Sequence, residues 1–170
     1  IVKLTDMCNL DWAYGAVSTS HDMVHAVSVD ANNNILIAGV FESTVDFNYG
    51  IGTNNLTSSG NWDAFVQKLD SNGAFVWVKK MGGASDDVAL TLSVNTNDDI
   101  IVGGYFSGTG TFGGTFLSSA GGNDIFIAKC SSNGSNLWGN RIGGSSNESL
   151  KSLISNTNGD IYSTGIFQST

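Results

Sequence analysis

Residues 63–83 read DAFVQKLDSNGAFVWVKKMGG. Two runs rich in Val, Phe and Trp flank Asp70-Ser71-Asn72-Gly73, and such a turn between such runs predicts a β-hairpin. The pattern returns in residues 124–144, DIFIAKCSSNGSNLWGNRIGG. Without its first residues it also opens the chain, in residues 1–12, IVKLTDMCNLDW. Lys3, Lys68 and Lys129 fall at one position of the pattern, and Trp12, Trp77 and Trp138 at another. This is a repeat protein.

The tryptophan spacings, 65 and 61 residues, set the register of everything between them. They align Ile35, Ile100 and Ile161, then Gly39, Gly104 and Gly165, then Phe41, Phe106 and Phe167. The longer spacing is absorbed after Phe47, where NYGIGTNN stands in place of GGTF, and extra length is cheap in a loop.

Each full copy offers four strong strands. Residues 22–30, DMVHAVSVD, match 87–95, DVALTLSVN, and 148–156, ESLKSLISN. Residues 34–41, NILIAGVF, match DIIVGGYF and DIYSTGIF. A tight turn of Asn, Asp, Thr and Gly joins these two strands, so they should pair as a hairpin. The stretch quoted first supplies the third and fourth strands. Between the hairpins a looser segment, with Phe47 or Phe112 and then LTSSG or LSSAG, leaves room for a further short strand.

The faces of the strands choose the architecture. Ile100, Val102 and Phe106 alternate with Ile101 and Tyr105, so both faces of the second strand are apolar and neither meets water. Phe65 and Leu69 point one way on the third strand, Ala64 and Val66 the other. The fourth strand is more polar, with Lys79, Lys80, Asn140 and Arg141. A four-stranded unit that runs from buried to wet predicts an all-β fold, a β-propeller of four-stranded antiparallel blades with one outer edge exposed. Gly39, Gly104 and Gly165, in the middle of a buried strand, are expected where another backbone comes close, near the crowded axis.

The chain starts in the third strand of one copy and stops after the second strand of another. Residues 1–170 are expected to form about two and a half blades of one propeller, with copies at roughly 1–21, 22–86, 87–147 and 148–170. A closed propeller needs at least about four blades. The expectation is a fragment of a longer protein, or an open piece completed by other chains.

Several motifs agree in order and spacing: Asp-x-Ala from Asp87, then Asp-Ile-Ile-Val-Gly-Gly-Tyr-Phe-Ser-Gly-Thr from Asp99, then Asp-Ile-Phe-Ile-Ala-Lys from Asp124, then Asn-Gly…Trp…Gly-Gly. Together they resemble the bacterial SBBP repeat, a seven-bladed β-propeller repeat, and the likeness spans the whole chain. It departs in the first copy, where Ala16-Val17 replaces the Gly-Gly of Gly82-Gly83 and Gly143-Gly144. The resemblance implies a secreted or cell-surface bacterial protein, often large. Many members come from Bacteroidetes and carry a sorting domain for type IX secretion. It implies no shared catalytic residues.

Composition narrows the partners. Seven Lys and Arg against fifteen Asp and Glu give a net charge of −8, which argues against nucleic acid, whose binding needs clustered cations. No apolar run approaches ~18 residues, so no membrane-spanning helix is expected. Cys8 and Cys130 sit at different repeat positions and are expected to be unpaired, Cys130 as a small buried hydrophobe and Cys8 as an incidental turn residue.

Candidate chemistry is sparse. His25 aligns with Leu90 and Lys151, and a position that accepts all three suggests a half-exposed place rather than a catalytic one; His21 has no partner in spacing. Three turns (Asp70-Ser71-Asn72-Gly73, Asp30-Ala31-Asn32-Asn33 and Asn97-Asp98-Asp99) could offer oxygens to Ca²⁺. Each has only one or two carboxylates, and Ca²⁺ needs about six to eight oxygens, so hairpin chemistry is preferred and no cofactor is expected.

The pairs Asp86-Asp87 and Asp98-Asp99 read as solvated turns rather than glycosidase carboxylates. Asp63 and Asp124 are expected to satisfy a free backbone amide where the third strand begins. Trp12, Trp77 and Trp138 are expected to pack between blades. Trp62, whose counterpart is Asn123, and Tyr49 in the inserted loop are the candidate exposed ligand contacts. Asn55, Asn133 and Asn147 begin N-x-[ST] sequons, which a chain rich in Asn and Ser produces by chance.

The expected function is a non-catalytic module for binding, adhesion or scaffolding, presenting loops to a protein or glycan partner. One alternative is a polysaccharide-active enzyme with its site at the propeller mouth. Another is a structural spacer or filament component whose contacts are strand edges.

Overall fold

A computed structural model describes residues 1–15 and 20–168. The described residues form strands and turns, with no helix. Strands β1 (Val2–Leu4) and β2 (Leu10–Ala13) pair by themselves. The first full blade is β3 (Met23–Val29), β4 (Ile35–Asp46), β5 (Asn55–Leu69) and β6 (Phe75–Gly83), hydrogen-bonded in that order.

The second full blade is β7 (Asp87–Val94) and β8 (Ile100–Phe106), followed after β9 (Thr109–Phe112) and β10 (Thr115–Ser118) by β11 (Asp124–Cys130) and β12 (Asn136–Ile142). The last pair is β13 (Ser149–Ser155) with β14 (Ile161–Ile166). Every pairing is antiparallel, as the hairpin turns require. The chain is all-β and carries β-propeller blades, two whole and two half.

In most of the hairpin turns the side chain of the first turn residue caps the turn. Asp70 Oδ1 accepts the amides of Asn72 and Ala74, while Gly73 sits at φ +86°, which only Gly adopts freely. Cys8 occupies the equivalent place at φ +58°. It is exposed and Cys130 is buried, and both thiols are free.

Both faces of the middle strands are buried, as their pattern predicts. Ile100, Val102, Phe126 and Ala128 turn toward the first full blade and meet Leu36, Ala38, Ala64 and Val66 there. Ile101, Ile125 and Ile127 turn the other way, onto Leu150 and Leu153 of β13. A third core joins Ile37, Phe41, Phe47, Phe65 and Leu69 to the opening hairpin. One tryptophan stands at each junction, with Trp12, Trp77 and Trp138 each packing against a different core.

Two features differ from the sequence expectation. The glycines do meet a backbone, but it is the neighbouring strand of their own blade. A Cβ on Gly39 would lie 2.0 Å from the Met23 carbonyl oxygen, and one on Gly104 would lie 1.8 Å from that of Val88. The pairing skips His25, Leu90 and Lys151 in the three copies, so each is the extra residue of a β-bulge that presses its strand onto the glycine. The bulge explains why this position accepts three unlike side chains.

The second difference is the outer edge of the first full blade. β9 pairs with the end of β6, Gly82 opposite Thr111 and Gly83 opposite Gly110, so this part of the edge is covered. Positive φ at both Gly113 and Gly114 closes the β9–β10 hairpin tightly. In the first copy the same looser segment instead prolongs β4 and β5, with Val45 opposite Leu56. The departure at Ala16-Val17 lies outside the described residues.

Candidate functional site: the blade junctions and the loops above them

The repeated lysine joins one blade to the next. Lys68 Nζ lies 2.8 Å from Asp30 Oδ2 in its own blade and donates to the Ser132 carbonyl, at 3.1 Å, in the following one. Trp77 Nε1 donates to the same carbonyl at 3.2 Å. The lysine and tryptophan thus clamp one turn carbonyl of the neighbour. Lys3 reaches the equivalent carbonyl, that of Ser71, at 3.4 Å.

The carboxylate of this arrangement changes place between blades. In the first full blade Asp30 caps the turn and Asn34 donates to it. In the second, Asn95 caps and donates to Asp99, and Lys129 pairs with Asp99 at 2.8 Å. Asn156 and Asp160 repeat the second version. Burial raises the Asp30 carboxyl, but the bonds from Lys68, Asn34 and Asn32 outweigh it and hold its pKa below the usual value.

Paired acids sit where one blade passes to the next. Asp63 Oδ2 accepts the Ser59 amide and Asp124 Oδ2 the Ala120 amide, the role expected of both. Lys80 and Arg141 pair with them. Asp87 Oδ2 accepts the Gly83 amide, and Glu148 Oε2 the Gly144 amide. Gly82 makes room, because its Cβ would lie 2.6 Å from Asp87 Oδ2 and 3.1 Å from Asp63 Oδ1.

Asp87 is therefore not in the solvated turn expected of it. It is fully buried, and burial first, then the Asp63 charge, pushes its pKa up to about 7 despite the Gly83 amide. Asp98 and Asp99 are also engaged, Asp98 accepting the Ala31 amide of the neighbouring blade.

The singled-out aromatics lie apart. Trp62 is half-buried on β5 opposite Glu42. Tyr49 stacks on Tyr14, ring centres 5.7 Å apart, and donates to Gln67 Oε1, and burial raises its pKa. No ring contact joins the two among the described residues. His21 and His25 are exposed, and His21 Nδ1 lies 3.8 Å from Glu42. Partial desolvation by its neighbours lowers the pKa of the otherwise exposed His25, and full burial raises that of Cys130 to about 11. Among the described residues no group of three or more His, Cys, Asp or Glu is arranged to hold a metal ion.

The inserted loop is braced from within. Asp46 Oδ1 accepts the amides of Asn48 and Asn54, and Asn48 bonds to Ile51 and Gly50. Ile51 stands at its tip with its side chain wholly in solvent. A cavity of about 780 Å³ opens elsewhere, between β1, β2 and the outer face of β3, lined by Val2, Leu4, Trp12, Val24, Val27 and Val29.

The turn caps are the hairpin chemistry expected of these Asp and Asn residues, whereas the clamps and acid pairs escaped the sequence reading. The recurring lysine was their visible signal, and the exchange of Asp and Asn across a four-residue turn was the other.

No family model matches the chain. It is 27% identical, over 92% of its length, to an uncharacterized WD repeat-containing protein, L264, of Acanthamoeba polyphaga mimivirus. It is 23% identical, again over 92%, to the regulatory protein FlaEY of Caulobacter vibrioides. The chain spans 13% and 17% of those two proteins. Its periodic sequence, its blades and its likeness to a WD repeat-containing protein make it a repeat protein of propeller-like architecture.

Proposed function

We propose that the chain is part of a secreted or cell-surface bacterial β-propeller of the SBBP repeat type, which binds a protein or glycan partner through its loops and performs no bond chemistry. The observation that carries this reading is the inserted loop. It is held rigid by its own Asp46 and Asn48 bonds while it lifts Ile51 into solvent. A preorganised loop loses little entropy on binding, and an apolar tip supplies contact area. The WD repeat-containing relative supports a protein partner.

The enzyme alternative has little to draw on. Asp63, Asp87 and Asp124 are wholly buried, out of reach of a sugar.

Fractionation of the source bacterium, with an antibody to this chain, tests the location. Binding of the purified chain to the isolated cell-surface fraction tests the function. Ile51→Ser should weaken that binding by about tenfold if the tip is a contact of ordinary weight, with Trp62→Ala as a second variant. A protein retained inside unbroken cells, or both variants binding as the parent does, removes the reading.

A further inference from the structure

We propose that the inserted loop of the first full blade forms, with the β5–β6 turn, a binding pocket for one ring of an uncharged sugar. This rests on the loop reading above and names the partner chemistry that the loop takes.

The insertion creates the pocket. In the second full blade the β9–β10 turn closes on the start of β12. A Cβ on Gly113 would lie 2.1 Å from the Trp138 carbonyl oxygen, and one on Gly114 would lie 3.0 Å from the Asn136 side chain. Asn136 corresponds to Phe75, two residues before the recurring tryptophan. In the first full blade NYGIGTNN stands in place of GGTF, and the longer loop stands off from Phe75. A cavity of about 290 Å³ opens between them. Asn48 and Ile51 line it from the loop, Asn72, Ala74 and Phe75 from the turn, and Tyr14 from the opening hairpin. Ligand pockets start at about 300 Å³, so the cavity suits a small ligand.

The loop is held in that place from below. Gln67, fully buried, donates from Nε2 to the Phe47 carbonyl at 2.7 Å and accepts from the Tyr49 hydroxyl at 3.3 Å. The second full blade, which lacks the insertion, has Ala128 at this position. The buried amide therefore accompanies the longer loop and keeps it from settling onto Phe75.

The lining selects the ligand. None of the lining residues carries a charge. A nucleotide or an amino acid would bring charges that nothing here answers, and the net charge of −8 repels anions further. Asn72 uses its backbone amide on Asp70, which leaves its side-chain amide for a ligand. Asn48 Nδ2 uses one N–H on the Ile51 carbonyl and has a second. Tyr14 uses its ring on Trp12 and Tyr49, with centres 5.0 and 5.7 Å away, which leaves its hydroxyl. Carboxamide and phenol groups both donate and accept, which matches neighbouring sugar hydroxyls. Phe75 and Ile51 supply the apolar walls against which the C–H face of a pyranose ring can lie.

NMR titration of the purified chain with the methyl glycosides of glucose, galactose, mannose and N-acetylglucosamine tests this. One ring held by a few hydrogen bonds should bind with a Kd of about 1 mM, which a titration reaches. At least one sugar should shift the amides of Gly50, Ile51, Gly73 and Ala74 and leave those of the second full blade unmoved. Asn72→Ala should weaken binding by about fivefold. Ala74→Leu, which fills the pocket from an exposed turn position, should abolish it. Circular dichroism checks that both variants keep their strands.

No shift with any of the four sugars overturns the proposal. So do shifts that persist in Ala74→Leu, which would put the ligand elsewhere, and shifts produced by the charged sugar glucuronate alone. The cell-surface binding assay separates the pocket from the loop reading. Binding that none of the four sugars inhibits keeps the loop as a protein contact and overturns the sugar pocket. Pocket shifts in a chain that does not bind the surface fraction keep the pocket and remove the loop reading.

Discussion

Lys68 carries its charge to a place where only 8% of its side chain meets water, beside an Asp30 side chain that is 1% exposed. A buried pair of this kind is fragile to the loss of one member, because the survivor keeps its desolvation cost. Asp30→Asn should therefore destabilise by about 3 kcal/mol in a urea titration. The second blade suggests the repair, since it holds its carboxylate four residues later. Asp30→Asn with Asn34→Asp should regain most of the loss, and a double variant no better than the single one would disprove the exchange.

Trp77 belongs to the same clamp and adds packing to it. Trp77→Ala should cost about 3–5 kcal/mol, through lost contacts and the cavity left behind. Trp77→Phe keeps most of the ring and loses the bond to the Ser132 carbonyl, about 1 kcal/mol. Thermal melts of the two variants separate these contributions. Equal losses would mean that the hydrogen bond dominates.

At the scale of the strand, glycine and bulge act as one device. The bulged strand leans toward its neighbour, and only Gly leaves space for it. Gly104→Ala should destabilise by about 2–3 kcal/mol or shift the pairing of β7 with β8. Leu90→Ala, at the extra residue itself, should cost about 1 kcal/mol or less, since that side chain is only half-buried and stands outside the ladder. Hydrogen exchange along β7 and β8 would show whether the register survives.

Strands and their hairpins were legible because their signals are local: alternation of side chains, and Asn, Asp or Gly in the turn. The tryptophan at each junction was legible because it recurs. Bulges were not, since an extra residue changes no residue type, and the unlike His25, Leu90 and Lys151 were the only trace. The burial of Asp87 was hidden for a different reason. Sequence displays a charge but not the depth at which the fold places it. The aromatics Trp62 and Tyr49 showed their chemistry but not their separation, which depends on where the long β4–β5 hairpin carries each of them.

For the molecule as a whole, each blade holds only its neighbours, through an apolar core, so stability should add along the stack. The buried acids give that stack a pH dependence. Asp87 binds its proton more tightly folded, with a pKa of about 7, than a free aspartate does, at 3.8. Its contribution is therefore greatest below 3.8, falls as the pH rises, and is fully lost above about 7. Asp30 acts in the opposite sense, since its lowered pKa stabilises above the ordinary aspartate range and fails in stronger acid. The two windows do not overlap. Melts across the upper window should show stability declining with pH, and Asp87→Asn should flatten that slope. A variant as steep as the parent would assign the slope to other groups.

The β9–β10 hairpin belongs by sequence to the second copy, yet it pairs with β6 of the first. The boundary of the repeat in sequence is therefore not a boundary at which the protein can be cut. Severing the chain between Asp86 and Asp87 would strip β6 of its cover and bare its edge to other chains. Any scheme that shortens, shuffles or grafts these blades has to carry residues 109–118 along with the blade they cover, not the one they come from.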